Sequence, residues 1–115
     1  MNYDHHFLIG ASHSACEDYA ASLPGFAALA DGCSIVRDRD GNKINAHTDI
    51  GARLLVRAAF HHRDVVNSVD RSLLTIHTAD SYRRSMDLPV ETLSATLITM
   101  KEVYSGQGVE VVCIG

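Results

Sequence analysis

Five apolar residues in a row, Phe26-Ala27-Ala28-Leu29-Ala30, run from a Pro24-Gly25 turn straight into Asp31-Gly32. An uninterrupted apolar run of this length reads as a strand, predicted to be buried on both faces. Proline presets its backbone angle and glycine tolerates a positive φ, so Pro24-Gly25 makes a turn. That turn folds a preceding strand, Glu17-Asp18-Tyr19-Ala20-Ala21-Ser22, back along the apolar one. The outer ends of such a hairpin meet, which predicts Glu17, Asp18 and Asp31 together at one edge of a sheet. Three carboxylates repel unless a cation sits among them, and hard divalent ions prefer oxygen ligands. Gly32 lets the backbone approach an ion closely, so its carbonyl is a further candidate ligand. A plainer reading fits the same residues: Glu-Asp pairs occur on solvated surfaces, and Asp-Gly is a common turn.

The rest of the chain is read around that hairpin. His6-Phe7-Leu8-Ile9-Gly10-Ala11 is a short first strand, and Ser12 to Cys16 a polar connection. From Ser34 to His47 the residues turn charged and polar, with Asp40-Gly41-Asn42 as a turn signal. Thr48 or Asp49 is the expected N-cap of a helix reaching about Arg63. Within it Ile50, Leu54, Leu55 and Ala58 share one face, and Arg53 and Arg57 face solvent. A second helix is predicted from Val69 to Met86, with Leu73, Leu74, Ile76 and His77 near one face. Pro89 forbids its continuation. Leu93 to Met100 and Val109 to Ile114 read as strands joined through Ser105-Gly106-Gln107-Gly108. The order βββ-α-α-ββ describes an α+β protein, with an antiparallel sheet and helices on one side.

Composition bounds the function classes. Ten Lys plus Arg against fourteen Asp plus Glu give 115 residues a formal charge of −4, without the basic stripe of a nucleic-acid binder. No apolar run approaches the roughly 18 residues of a membrane span. The N-terminus carries no secretory signal pattern. Three cysteines, Cys16, Cys33 and Cys113, leave one unpaired in any disulfide scheme, so a reducing cytoplasm is the expected compartment.

Gly10-Ala11-Ser12-His13-Ser14-Ala15-Cys16-Glu17-Asp18-Tyr19, followed by Phe26-Ala27-Ala28-Leu29-Ala30-Asp31-Gly32-Cys33-Ser34, resembles the start of the metal-dependent type 2C (PPM-type) serine/threonine protein phosphatases. Thr48-Asp49-Ile50-Gly51-Ala52-Arg53-Leu54-Leu55 is similar to the start of that family's first long helix. Leu93-Ser94-Ala95-Thr96-Leu97-Ile98 is similar to the strand after its second helix. The resemblance covers most of the chain and implies the N-terminal portion of a bacterial αββα sandwich domain, spanning residues 1–115, single and truncated. It also implies a two-ion Mn²⁺ or Mg²⁺ centre, with Asp31 bridging the ions and the Gly32 carbonyl binding one. Glu17 and Asp18 would act nearby, chiefly on metal-bound waters. The implied reaction is hydrolysis of phosphoserine or phosphothreonine in a protein substrate by a metal-activated water.

The sequence departs from that family at three places. His13 stands where many members carry a phosphate-gripping Arg; a protonated imidazole attracts phosphate without the bidentate fork. Cys33 stands where some members carry a His. The further metal-binding aspartates of the family's C-terminal half have no counterpart, since Asp70, Asp80 and Asp87 fall in or beside the second helix. A chain with half the ligand set is expected to be weakly active or inactive. The alternative is a non-catalytic, phosphatase-derived module that pairs with another chain. Either way an uncovered sheet predicts self-association or strand exchange.

Other residues carry less. His5-His6 and His61-His62 are adjacent pairs whose rings diverge, so neither is expected to chelate one ion. A Cys-His-Asp triad using His13 is disfavoured, because neighbouring carboxylates raise a thiol's pKa. His77 reads as a partly buried histidine, and Arg83-Arg84 as exposed helix surface.

Overall fold

The Pro24-Gly25 turn closes an antiparallel hairpin. In the computed structural model, which describes residues 16–103 and 108–115, strand β1 (Asp18–Leu23) pairs with β2 (Phe26–Gly32) from Leu23↔Phe26 out to Asp18↔Asp31. Gly25 has φ 85°, which suits a residue without a Cβ. Its carbonyl accepts the Glu102 N–H at 2.9 Å, tying the turn to the neighbouring strand. The strand expected at His6–Ala11 lies outside the described residues.

Among the described residues four strands form the main sheet in the order β1-β2-β5-β6, where β5 is Ala95–Val103 and β6 is Gly108–Ile114. All its pairings are antiparallel. The polar segment after β2 holds a second, small hairpin of β3 (Val36–Arg37) and β4 (Lys43–Ile44). Its turn falls at the expected Asp40-Gly41-Asn42, held by Asp38 Oδ1, which accepts from the backbone N–H groups of Asp40 and Asn42 at 3.0 and 2.8 Å. The two strands escaped prediction because two-residue strands carry no readable period.

Helix α1 (Thr48–His61) packs on the sheet, and helix α2 (Ser68–Ser85) packs on α1. A 3-10 turn, Val90–Leu93, leads into β5, so that strand begins two residues later than expected. The architecture is α+β, as predicted, with an antiparallel sheet and two helices. Phe26, Ala28, Ala30 and Leu97 from the sheet meet Ala52, Leu55, Val56, Ala58 and Ala59 of α1 and Ala79 of α2 in one core. Small residues dominate it, which lets backbones approach closely. Gly51 is the extreme case: a Cβ there would collide with the Thr92 carbonyl.

Register separates the two sheet faces, because successive side chains point to opposite sides. Tyr19, Ala30, Leu97 and Ile114 lie in one row beneath α1. Ala20, Leu29, Ile98 and Cys113 lie in a row on the opposite face. No helix covers that face among the described residues, and Leu29 is 43% exposed. The expectation that the apolar strand is buried on both sides therefore fails at Leu29.

Two helix details also differ from expectation. The residue preceding α1 is His47, in left-handed backbone (φ 55°) and without a side-chain cap bond. Thr48 already lies inside the helix, where its hydroxyl donates to the Cys33 carbonyl at 2.8 Å instead of capping. Arg53, although exposed, stands 5.1 Å over the Tyr19 ring, so a cation–π contact joins α1 to β1. In α2 the face carrying Leu73, Leu74, Ile76 and His77 is exposed, and the buried residues are Arg71, Thr75 and Ala79. His77 is thus a surface residue, not a partly buried one. Asn67 caps α2 by accepting from the N–H groups of Val69 and Asp70.

Candidate functional site

The end of the β1–β2 hairpin opposite its turn brings two of the expected acids together. Asp18 and Asp31 are direct cross-strand partners on the uncovered face, in one row with Thr96 of β5. Directly opposite residues in an antiparallel pair have Cα atoms roughly 4.5–5.5 Å apart, so their side chains are neighbours. Glu17 continues the pairing beyond the strand: its carbonyl accepts the Gly32 N–H at 3.0 Å. Its carboxylate Oε2 accepts a hydrogen bond from the Ser34 hydroxyl at 3.3 Å.

Side-chain alternation explains why Glu17 does not simply join the pair. Asp18 and Asp31 point to the uncovered face, and their chain neighbours Glu17 and Gly32 belong to the helix side. Among the described residues no three His, Cys, Asp or Glu side chains converge closely enough to hold a metal ion. The expected convergence of Glu17, Asp18 and Asp31 is therefore a pair plus a neighbour. His13, the expected phosphate-binding residue, lies outside the described residues.

Gly32 is pinned from behind. A Cβ on it would lie 2.8 Å from the Glu17 carbonyl oxygen and 2.9 Å from that of Thr48. Only glycine allows the first turn of α1 to sit this close to β2. The next residue, Cys33, donates its N–H to Ser94 at 2.9 Å and accepts from Thr48. The N-terminal end of α1, which carries partial positive charge, thus packs directly against the backbone that follows Asp31.

Elsewhere the donors are spent on structure. The His61 and His62 rings meet edge to face at 4.8 Å, as adjacent side chains that diverge. His62 Nε2 pairs with the Thr78 hydroxyl at 2.6 Å, and burial first, then the charge of His61, lowers its pKa below the usual 6.5. Asp80 receives Arg83 and Arg84, and the hydrogen bond from Arg83 leads in holding its carboxyl below the ordinary range. Cys16, Cys33 and Cys113 are all free thiols.

Two features escaped the sequence reading. Arg71, almost fully buried, donates to the Val65 carbonyl at 2.7 Å and pairs with Glu110 of β6. The uncovered sheet face gathers Leu29, Ile98, Met100, Val111 and Cys113. Alternation within Val109–Ile114 was the available signal for that face. Nothing in the helical pattern of α2 announced a buried arginine.

No protein-family model matches the chain, and no solved structure matches it. No helix among the described residues is long and apolar enough to cross a membrane.

Proposed function

We propose that this chain belongs to the metal-dependent type 2C-like phosphatases and contributes the Asp18–Asp31 carboxylate pair to hydrolysis of phosphoserine or phosphothreonine in a cytoplasmic protein substrate. The observation supporting this most is the register that sets Asp18 against Asp31 beside Gly32 and the N-terminus of α1. The donor set suits Mg²⁺ or Mn²⁺ in part. Magnesium characteristically takes one or two carboxylates and fills its remaining positions with water and substrate phosphate. When bound, such an ion supplies Lewis-acid stabilisation of phosphoryl charge and an activated water. Asp18 and Asp31 would hold the ion, and Glu17, anchored through Gly32 and Ser34, would orient solvent beside them. With two converging carboxylates instead of three, turnover by this chain alone is expected to be weak.

A specific observation favours a second reading, a non-catalytic module that pairs with another chain. Leu29, Met100, Val109 and Val111 are all exposed, and the last three lie with Leu29 on the uncovered sheet face. One set of measurements separates the two. Mn²⁺ binding, followed by loss of the free-ion EPR signal, is expected for the wild type and reduced at least about tenfold in Asp31→Asn. Aryl phosphate hydrolysis is expected to be slow, Mn²⁺-dependent and lost in the same variant. Equal Mn²⁺ binding by wild type and variant, or turnover that survives EDTA, would overturn the phosphatase reading and leave the pairing module.

A further inference from the structure

Where the inward face of α2 comes over the sheet, β5 presents a hydroxyl. Thr99 shares a register row with Ala28 and Val112, on the same face as the row of Ala30, Leu97 and Ile114. It is only 7% exposed. Among the described residues its hydroxyl has no hydrogen-bond partner. Burying a hydroxyl without a partner costs free energy, and native structures nearly always supply one. Thr99 helps to line a cavity of about 10 Å³ whose helix side carries Arg71, Ser72 and Thr75. The remaining lining is apolar, Phe26 and Leu97 included.

The helix side of the cavity offers what that hydroxyl lacks. Ser72 Oγ donates to the Ser68 carbonyl and Thr75 Oγ1 to the Arg71 carbonyl, both at 2.8 Å. Each hydroxyl proton is spent, but each oxygen keeps lone pairs with which to accept. The Arg71 guanidinium donates to the carbonyls of Val65 and Val66 and pairs with Glu110. Its charge is thus balanced and calls for no anion. Donor and acceptors line one space without bonding to each other, which is the arrangement a bridging water satisfies. We infer that this cavity is the binding site of a single water molecule that joins the sheet to α2. The water accepts from the Thr99 hydroxyl and donates to the oxygens of Thr75 and Ser72. Buried waters typically make about three such bonds. The space is close to the least that holds one water, and it is too small for an organic ligand or a hydrated ion. This inference does not rest on the phosphatase reading. It gives α2, whose inward face is largely polar, a second tie to the sheet beside the Arg71–Glu110 pair.

A high-resolution crystal structure of the 115-residue chain reads the site directly. Density for a water within about 3.0 Å of Thr99 Oγ1, and of Thr75 Oγ1 or Ser72 Oγ, is expected. A cavity without such density, or a Thr99 hydroxyl bonded directly to a protein group, would overturn the proposal. So would an anomalous signal in the cavity after a bromide soak, which would mark an anion beside Arg71. Thr99→Val gives an independent test in solution, because valine keeps the shape of the side chain and removes its hydroxyl. Where water satisfies that hydroxyl, the substitution loses a hydrogen bond, and the unfolding equilibrium constant in urea is expected to rise about fivefold. A hydroxyl buried without a partner predicts the opposite sign, since its removal relieves a desolvation penalty. An unfolding constant that is unchanged or lower in Thr99→Val would therefore overturn the proposal.

Discussion

Helices α1 and α2 lie side by side yet solve opposite problems. Helix α1 buries Ala52, Leu54, Leu55, Val56, Ala58 and Ala59, and its apolar stripe is its packing stripe. Helix α2 buries Arg71, Thr75 and Ala79 and turns Val69, Leu73 and Ile76 to solvent. An apolar row on a helix therefore does not by itself mark the face that meets the core. In α1 the two coincide. In α2 the inward contact combines Ala79 with the polar Arg71 and Thr75, whose hydrogen bonds must offset the loss of water around them.

The sharpest way to break that comparison is the same truncation in each helix. Leu55→Ala removes a side chain from the close-packed core and is expected to lower unfolding free energy by about 3 kcal/mol, through lost burial and an incompletely collapsed cavity. Leu73→Ala is expected to stay within about 0.5 kcal/mol of wild type, since the removed atoms already face water. Urea denaturation checks both. Equal losses in the two variants would mean that α2 packs by its leucines after all.

Arg71 tests the polar half of the comparison. Its guanidinium serves the Val65 carbonyl, in the connection before α2, and Glu110 on β6, so one side chain ties helix to sheet. Arg71→Ala is expected to cost about 2 kcal/mol, less than a fully buried pair would, because Glu110 is one-third exposed and regains water. Replacing both partners, Arg71→Met with Glu110→Leu, is expected to recover most of that loss, since neither charged group is then left without its partner and only the hydrogen bond to the Val65 carbonyl is lost. A double variant as unstable as Arg71→Ala would show that the arginine acts through the Val65 carbonyl and not through the carboxylate.

What the sequence made legible follows the same division. The β1–β2 hairpin was readable because Pro24-Gly25 fixes the turn, and counting outward from it pairs Asp18 with Asp31. Both long helices and the final strand pair were readable from period and breakers. The side of α2 that faces the core was not, because periodicity locates apolar residues and says nothing of what they meet. Leu29 was misjudged for a related reason: a continuous apolar run looks the same whether one or both faces are covered. At the candidate site the proximity of the acids is readable from the hairpin, whereas the side of the sheet that Glu17 takes depends on where β1 begins, which its sequence does not mark. His47 could not be read as the residue preceding α1, because its left-handed backbone has no signature in a side chain that usually avoids it.

His62 carries the smallest expected effect and sharpens the comparison where the helices meet. Its ring lies at the C-terminal end of α1 and bonds to Thr78 of α2 at 2.6 Å. Burial leads, and His61 adds to, the lowering of its pKa from 6.5, so folding favours the neutral ring. Between the folded value and 6.5 the unfolded chain binds more protons, and stability falls as the pH is lowered through that window. The stabilising term is complete above about pH 6.5 and is lost once the pH passes below the folded value. His62→Asn keeps a hydrogen-bonding group toward Thr78 but does not titrate there, so the denaturation midpoint of the variant should depend less on pH between about 7 and 5. In an NMR titration the His62 ring is expected to protonate below 6.5, and His61→Gln should move its midpoint upward by removing the neighbouring positive charge. A midpoint that stays put in His61→Gln would leave burial as the whole cause. A midpoint above 6.5 in the wild type would mean that the contact between α1 and α2 favours a charged ring, reversing the pH dependence.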